Sequence, residues 1–162
     1  MFSDEVTILC QNLGQQCEQN GIRLITAESC TGGLLAAAIT STAGSSKWFE
    51  RGYVTYSNQS KMNCLSINEN DLQTFGAVSA QIAQQMAAGA LKNTSANLSI
   101  SITGIAGPSG GSKDKPIGTV FFACQRENKV IFEHKALFVG NREIIRDKAV
   151  IFAINTLLKL TL

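Results

Sequence analysis

The chain reads as a three-layer α/β domain with a largely parallel sheet and one antiparallel hairpin member. Three features predict this class. Segments of helical and strand periodicity alternate along the chain, the last two strands are joined by a polar stretch too short for a crossover helix, and no linker, internal repeat or low-complexity tract interrupts them. With 162 residues, residues 1–162 suit one domain that buries roughly two thirds of the surface of its unfolded chain.

Val6, Leu9, Cys10, Leu13 and Cys17 recur at helical spacing between a start signal at Ser3 or Asp4 and a stop at Gly21. Residues 22–27 read as a strand that runs into the turn Glu28-Ser29-Cys30-Thr31-Gly32-Gly33, with an apolar helix over residues 34–40. Such a turn lets a ligand approach the backbone and aims the N–H groups of a helix start at it. Residues 51–56 alternate as a strand leading out of the Gly44-Ser45-Ser46 turn, and Asn58 is the expected N-cap of a helix carrying Lys61, Met62 and Leu65. A short helix over residues 68–75 ends at Gly76, and Ser79 caps a longer one whose buried face holds Ile82, Met86, Gly89 and Ala90.

Residues 98–103 form a strand that feeds the loop at 104–111, the most glycine-rich stretch of the chain. Residues 119–124 and 130–139 read as two further strands, joined as a hairpin through Arg126-Glu127-Asn128-Lys129. The last helix starts near Asn141, places Ile145, Ala149, Phe152, Ala153 and Leu160 on one face, and carries Arg142 and Arg146 one turn apart.

The formal net charge of +2 gives no concentrated basic patch, so no nucleic-acid partner is expected. Cys10, Cys17, Cys30, Cys64 and Cys124 are odd in number, scattered and without a CxxC pair, which argues against a disulfide framework or zinc site and fits a reducing compartment. The N-terminus is acidic without an apolar signal core, and no apolar run reaches membrane-spanning length. A cytoplasmic location without a membrane partner is the expectation.

The one histidine, His134, falls in an alternating segment as an outward strand residue, which removes the commonest general base. One histidine also excludes a multi-histidine metal centre. Asp4, Glu5, Glu69, Asp71, Glu127 and Asp147 read as solvated acids, so no metal is expected. Serine or cysteine nucleophiles without imidazole remain, and lysine is a base once burial or neighbouring cations lower its pKa.

Residues 44–61 concentrate serines, two tyrosines, two lysines and the only tryptophan. Lys61 is the candidate base there, because Tyr56 and Ser57 precede it across a strand-to-helix turn. Against this, a helical lysine is ordinarily solvated, and Ser45 and Ser46 also suit plain turn residues. Thr31-Gly32-Gly33 lacks the lysine of a P-loop and GxGxxG spacing; it suits an anion cradle or a tight connection. The 104–111 loop offers N–H groups to an oxyanion or phosphate, or is simply mobile. Arg142 and Arg146 suit a phosphate clamp, or capping and surface pairing.

The motifs Thr26-Ala-Glu-Ser-Cys-Thr-Gly-Gly33, Gly44-Ser-Ser-x-Trp-Phe-x-Arg-Gly-x-Val-Thr-Tyr-Ser-Asn58 with Lys61, Gly76-Ala-Val-Ser79, Ser101-Ile-Thr-Gly-Ile-Ala-Gly-Pro108 and Lys115-Pro-Ile-Gly-Thr-Val120 occur in one order along the chain. Together they resemble the CinA C-terminal domain family over essentially the whole length. The amino-terminal molybdopterin-binding-like domain of full-length CinA proteins has no counterpart here, which makes the chain similar to the stand-alone form.

The resemblance implies an α/β/α sandwich with a mixed, mostly parallel five-stranded sheet, often as a homodimer. It implies nicotinamide-nucleotide amidohydrolase activity, in which NMN and water give nicotinate mononucleotide and ammonia in pyridine-nucleotide salvage, with no cofactor. A catalytic serine, lysine and tyrosine carry over to Ser46, Lys61 and Tyr56, with Ser29 as the rival serine. Substrate contacts carry over to Thr103 and an arginine of the last helix, Arg142 or Arg146. Thr31, Gly32, Gly33, Gly104 and Gly107 are expected to line the same site. Asn141 departs from the Asp common in the family and removes a charge beside the expected phosphate site. In geometric form, Ser46 Oγ is expected within hydrogen-bond reach of the Lys61 amine or of Tyr56. Two alternatives accompany this reading: a nucleotide-binding regulatory domain that does not turn over, and an amidase for a related small amide.

Overall fold

The computed structural model describes residues 2–162. Helix α1 (Asp4–Gln19) starts where the Val6 N–H donates to the Ser3 hydroxyl, and it buries Val6, Cys10, Leu13 and Cys17. After Gly21 the chain enters β1 (Leu24–Glu28), buried along its whole length, then α2 (Leu34–Thr40). A single 3-10 turn at Ser45–Lys47 leads into β2 (Phe49–Val54). Helix α3 (Asn58–Leu65) is capped by Ser57 rather than Asn58, because Ser57 and Ser60 satisfy each other's backbone in a capping box. The short α4 (Glu69–Phe75) and the longer α5 (Ala80–Leu91) follow, capped by Asn68 and Ser79. Strands β3 (Leu98–Gly104), β4 (Thr119–Arg126) and β5 (Lys129–Leu137) precede α6 (Arg142–Leu160), whose N-cap is Asn141.

Among the described residues the strands form one sheet in the order β2-β1-β3-β4-β5. β1 pairs in parallel with β2 and with β3, whereas β3–β4 and β4–β5 are antiparallel, so β4 alone runs against the others. This is the mixed, mostly parallel sheet that the alternation of elements implies. The β4–β5 turn places Glu127 and Asn128 both at positive φ, the conformation that matches the twist of a tight hairpin.

Helices α1, α2 and α6 cover one face, over a core that includes Leu24, Ile100, Phe122, Ala149 and Ile154. Helices α3, α4 and α5 cover the other, over Ile25, Ala27, Leu65, Ile82 and Met86. Ser99 and Ser101 donate to the Ala87 and Ala83 carbonyls, which draws α5 close against β3. A Cβ at Gly89 would strike the Leu65 carbonyl, so this glycine is what lets α5 approach the end of α3.

From β1 the chain passes through α2 to β2 on one side; from β2 it returns through α3, α4 and α5 to β3 on the other. The carboxyl ends of these three strands therefore meet where the strand order reverses, the place at which open α/β sheets bind ligands. Each end carries a segment of interest: the Ser29 turn after β1, residues 55–61 after β2, and the glycine-rich loop at 105–111 after β3.

Candidate active site

Glu28 closes β1 and is fully buried. One carboxylate oxygen accepts the N–H groups of Gly33 and Leu35, each at 3.1 Å, and the other accepts that of Ala36 at 2.8 Å. This side chain therefore caps α2, whose own N-cap residue Gly33 has no side chain to do so. Gly32 and Gly33 both stand at positive φ, so the tight strand-to-helix connection is real and needs glycine at both positions.

The turn held by Glu28 presents Ser29, whose N–H donates to the Ile102 carbonyl of β3 at 2.9 Å. On the other side the Thr55 N–H donates to the Glu28 carbonyl at 2.9 Å, which extends the β1–β2 pairing past the end of β2. The chain then enters α3 through Ser57, and Lys61, one turn in, points back under this junction. Its Nζ lies 3.0 Å from Ser29 Oγ and donates to the Thr55 carbonyl at 2.7 Å.

Lys61 is only 1% exposed and is among the largest fully buried side chains. The reading of a solvated helical lysine is thus overturned, because α3 turns this face inward. Among the described residues no carboxylate pairs with it. Burial pushes the amine below the ordinary lysine value of 10.5; the neighbouring Cys30 acts in the opposite, weaker sense. Burial also pushes the Cys30 thiol up to about 12. At neutral pH Cys30 is therefore an uncharged thiol, with no negative charge to hold a proton on Lys61.

The remaining N–H groups of the turn divide sharply. Those of Ser29, Gly32, Gly33, Leu34, Leu35 and Ala36 all donate to named oxygens. Among the described residues, those of Cys30 and Thr31 have no oxygen acceptor and lie beside the Cys30 thiol. They follow the serine directly, the position from which a backbone donor reaches the oxyanion of an attacked carbonyl.

Ser46 does not join this group. It lies exposed on the 3-10 turn that enters β2 at its amino end, whereas Lys61 follows the carboxyl end. Six residues of strand separate the two ends, roughly 20 Å at about 3.3 Å per residue. The expected Ser46–Lys61 contact is corrected to Ser29–Lys61. Ser45 is buried beside it, and Trp48 packs against Gly14 of α1, so this stretch secures helix packing.

Tyr56 is 60% exposed and its hydroxyl accepts from Arg142 Nη2 at 2.6 Å rather than meeting Lys61. Arg142 Nη1 donates to the Gly107 carbonyl at 2.8 Å, so one guanidinium ties the β2 exit to the β3 loop. Arg146 Nη2 donates to the Thr31 carbonyl at 2.9 Å and lies against Gly32, while its Nε is buried without a partner. Both arginines thus reach the site. Thr103, expected as a substrate contact, is buried and donates its hydroxyl to the Ala77 carbonyl at 2.8 Å, which makes it a strut between β3 and the start of α5. Gly104 lies where a Cβ would press on the Thr119 carbonyl and on Val120, so close strand packing accounts for it. Gly107 precedes Pro108 through a cis peptide bond. His134 lies on the far edge strand, stacked on Phe152.

Sequence reasoning missed Glu28 and the Thr55 carbonyl. Glu28 left a signal: an acidic residue ending an apolar strand must be paired or hydrogen-bonded if it is buried. A backbone carbonyl left none.

The CinA C-terminal domain model matches residues 7–161. The nicotinamide-nucleotide amidohydrolase PncC of Escherichia coli (strain K12) is 45% identical over 157 residues, 97% of this chain and 95% of that protein. The protein of the same name from Pseudomonas putida is 43% identical over 97% of this chain and 98% of its own. The crystal structure of the competence/damage inducible protein CihA from Agrobacterium tumefaciens superposes with a TM-score of 0.95 at 41% identity, covering 100% of this chain and 99% of that one. Sequence, fold and extent agree, and the chain belongs to the CinA C-terminal domain family.

Proposed function

We propose that this protein is a nicotinamide-nucleotide amidohydrolase that converts NMN and water to nicotinate mononucleotide and ammonia. Ser29 is the nucleophile in this reading and Lys61 its base. The observation that carries it is the buried Lys61 amine, without a carboxylate partner among the described residues, 3.0 Å from Ser29 Oγ. The full-length relatives of 43–45% identity that bear this activity in their names support the substrate.

Neutral Lys61 takes the Ser29 proton as Oγ attacks the carboxamide carbon, and the pyridinium ring assists by withdrawing electrons. The oxyanion is met by the N–H groups of Cys30 and Thr31, each such donor contributing about 3 kcal/mol. The C–N bond breaks, and ammonia leaves with the proton returned by Lys61. Water then attacks the acyl-enzyme ester while Lys61 takes its proton, and the released Ser29 oxygen recovers it. This route requires no cofactor. Arg142 and Arg146 hold the phosphate beside Gly32 and Gly107, and Tyr56 orients Arg142 rather than relaying the proton. The working unit is a cytoplasmic homodimer.

Ammonia release from NMN, NAD, nicotinamide and glutamine by the wild type and by Ser29→Ala, Ser46→Ala and Lys61→Ala tests the assignment. NMN should be the preferred substrate. Ser29→Ala and Lys61→Ala should be inactive, and Ser46→Ala should keep full activity. A dead Ser46→Ala with an active Ser29→Ala would overturn the nucleophile. Saturable NMN binding without ammonia would make the domain regulatory.

A further inference from the structure

Strand β5 closes one edge of the sheet with nine residues and no proline, and most of it is exposed. Val130 is 44% and Leu137 60% exposed on it. The unpaired N–H and C=O groups of an edge this long are a template for another strand. The opposite edge, β2, is shorter and carries the Glu50–Arg51 ion pair beside Gly52. Beside β5 on the α6 face lies an open apolar groove of about 550 Å³, lined by Phe132, His134, Phe138 and Phe152 among others. Glu133 and Lys135 point to the α5 face, where Glu133 meets Gln84 and Lys135 lies over the Phe121 ring.

We propose that β5 pairs antiparallel with β5 of a second copy, about a two-fold axis through His134, to give one continuous sheet across both subunits. The charges select the partner and the register. Residues directly opposite share a face, so the axis must pass through a residue position. An axis at Glu133 sets glutamate against glutamate, and one at Lys135 sets lysine against lysine. An axis at residue 132 puts Lys135 opposite Lys129, and one at residue 136 gives both charges apolar partners. With the axis at His134, Glu133 of each copy faces Lys135 of the other, Phe132 faces Ala136 and Ile131 faces Leu137. Opposite charges directly across a strand pair favour the pairing, and symmetry supplies the contact twice. A register centred on residue 131 would straddle the bulge at that end of β5, where Ile131 drops out of the ladder with β4. The same pairing sets Phe132 and His134 of both copies side by side and covers the groove where it reaches the edge.

This inference rests on the homodimer reading and is independent of the amide chemistry, so its test reads mass rather than ammonia. Light scattering on size-exclusion chromatography, with dilution to obtain the dissociation constant, should give a wild type of twice the 17.3 kDa chain mass. Glu133→Lys should weaken the dimer about ten-fold or more by facing lysine with lysine. The charge swap Glu133→Lys with Lys135→Glu should restore it. Circular dichroism should show both variants folded, and Glu50→Lys on the other edge should leave the dimer unchanged. A monomeric wild type, a Glu133→Lys variant as tight as the wild type, or a swap that fails to restore dimerisation would each overturn the pairing.

Discussion

Lys61 Nζ stands 3.0 Å from Ser29 Oγ, and its other hydrogen bond goes to the Thr55 carbonyl at 2.7 Å. A neutral amine donates to that carbonyl and keeps its lone pair for the serine proton. Because burial pushes the Lys61 pKa below 10.5, kcat/KM for NMN should rise with pH along one limb and level off below pH 10.5. Lys61→Arg, which cannot deprotonate, should lose about 100- to 10,000-fold at every pH. A limb at the ordinary lysine value would remove burial as the cause.

The same amine makes a statement about stability. Its folded pKa lies below the unfolded one, so between the two values the unfolded chain binds the extra proton and stability rises with pH. Lys61→Met has no amine to titrate. Relative to this variant, the wild type should gain melting temperature as the pH rises towards 10.5, and the gain should end there. A difference that stays constant up to pH 10.5 would mean that the fold does not lower the pKa of the amine.

Glu28 bridges the strand carrying Ser29 and the first turn of α2 through three backbone N–H groups. Glu28→Gln keeps the shape but turns one acceptor into a donor facing N–H. The cost should be about 2–4 kcal/mol, or roughly 5–15 °C in melting temperature. Thermal denaturation measures the first effect. A kcat lowered more than KM is raised, at a temperature where the variant is folded, measures the misaligned serine and oxyanion donors.

Gly89 sets the height of α3, and therefore of Lys61, against α5. Gly89→Ala would force the helices apart at the Leu65 carbonyl, at about 2–3 kcal/mol. The melt should shift by roughly 4–12 °C, with reduced turnover at 25 °C. An unchanged melting temperature would show that α3 relaxes freely.

Arg142 spans Tyr56 and the Gly107 carbonyl with two nitrogens of one planar fork. Lysine cannot reproduce that geometry. Arg142→Lys should raise KM for NMN about ten-fold with a smaller change in kcat, as measured by ammonia release. A kcat loss at constant KM would place Arg142 in the chemical step instead.

Local signals made much of the fold legible. Ser3, Asn68, Ser79 and Asn141 each cap the helix that their neighbours' periodicity announces, and Gly76 ends α4. Such signals act within one turn of chain, so residue order alone carries them. The strand limits moved by up to two residues, because strand ends are decided by neighbours in the sheet. The antiparallel member proved to be the interior strand β4, with β5 at the edge. Hydrophobic alternation does not reveal that order.

The chemistry divides along the same line. By itself the sequence determined that one histidine cannot build a multi-histidine metal centre, and it singled out Lys61 as the base to consider and the Ser29 turn, Arg142 and Arg146 as candidate ligand contacts. Only the tertiary structure decided which serine meets the lysine. Ser46 is nearer in the chain, but β2 lies between it and Lys61 and carries the two to opposite ends of the sheet. Ser29 is 32 positions away, yet parallel pairing of β1 with β2 sets Glu28 beside Val54 and so brings the residues after each strand together. Strand register is a long-range property, and here it decides which serine meets the buried lysine.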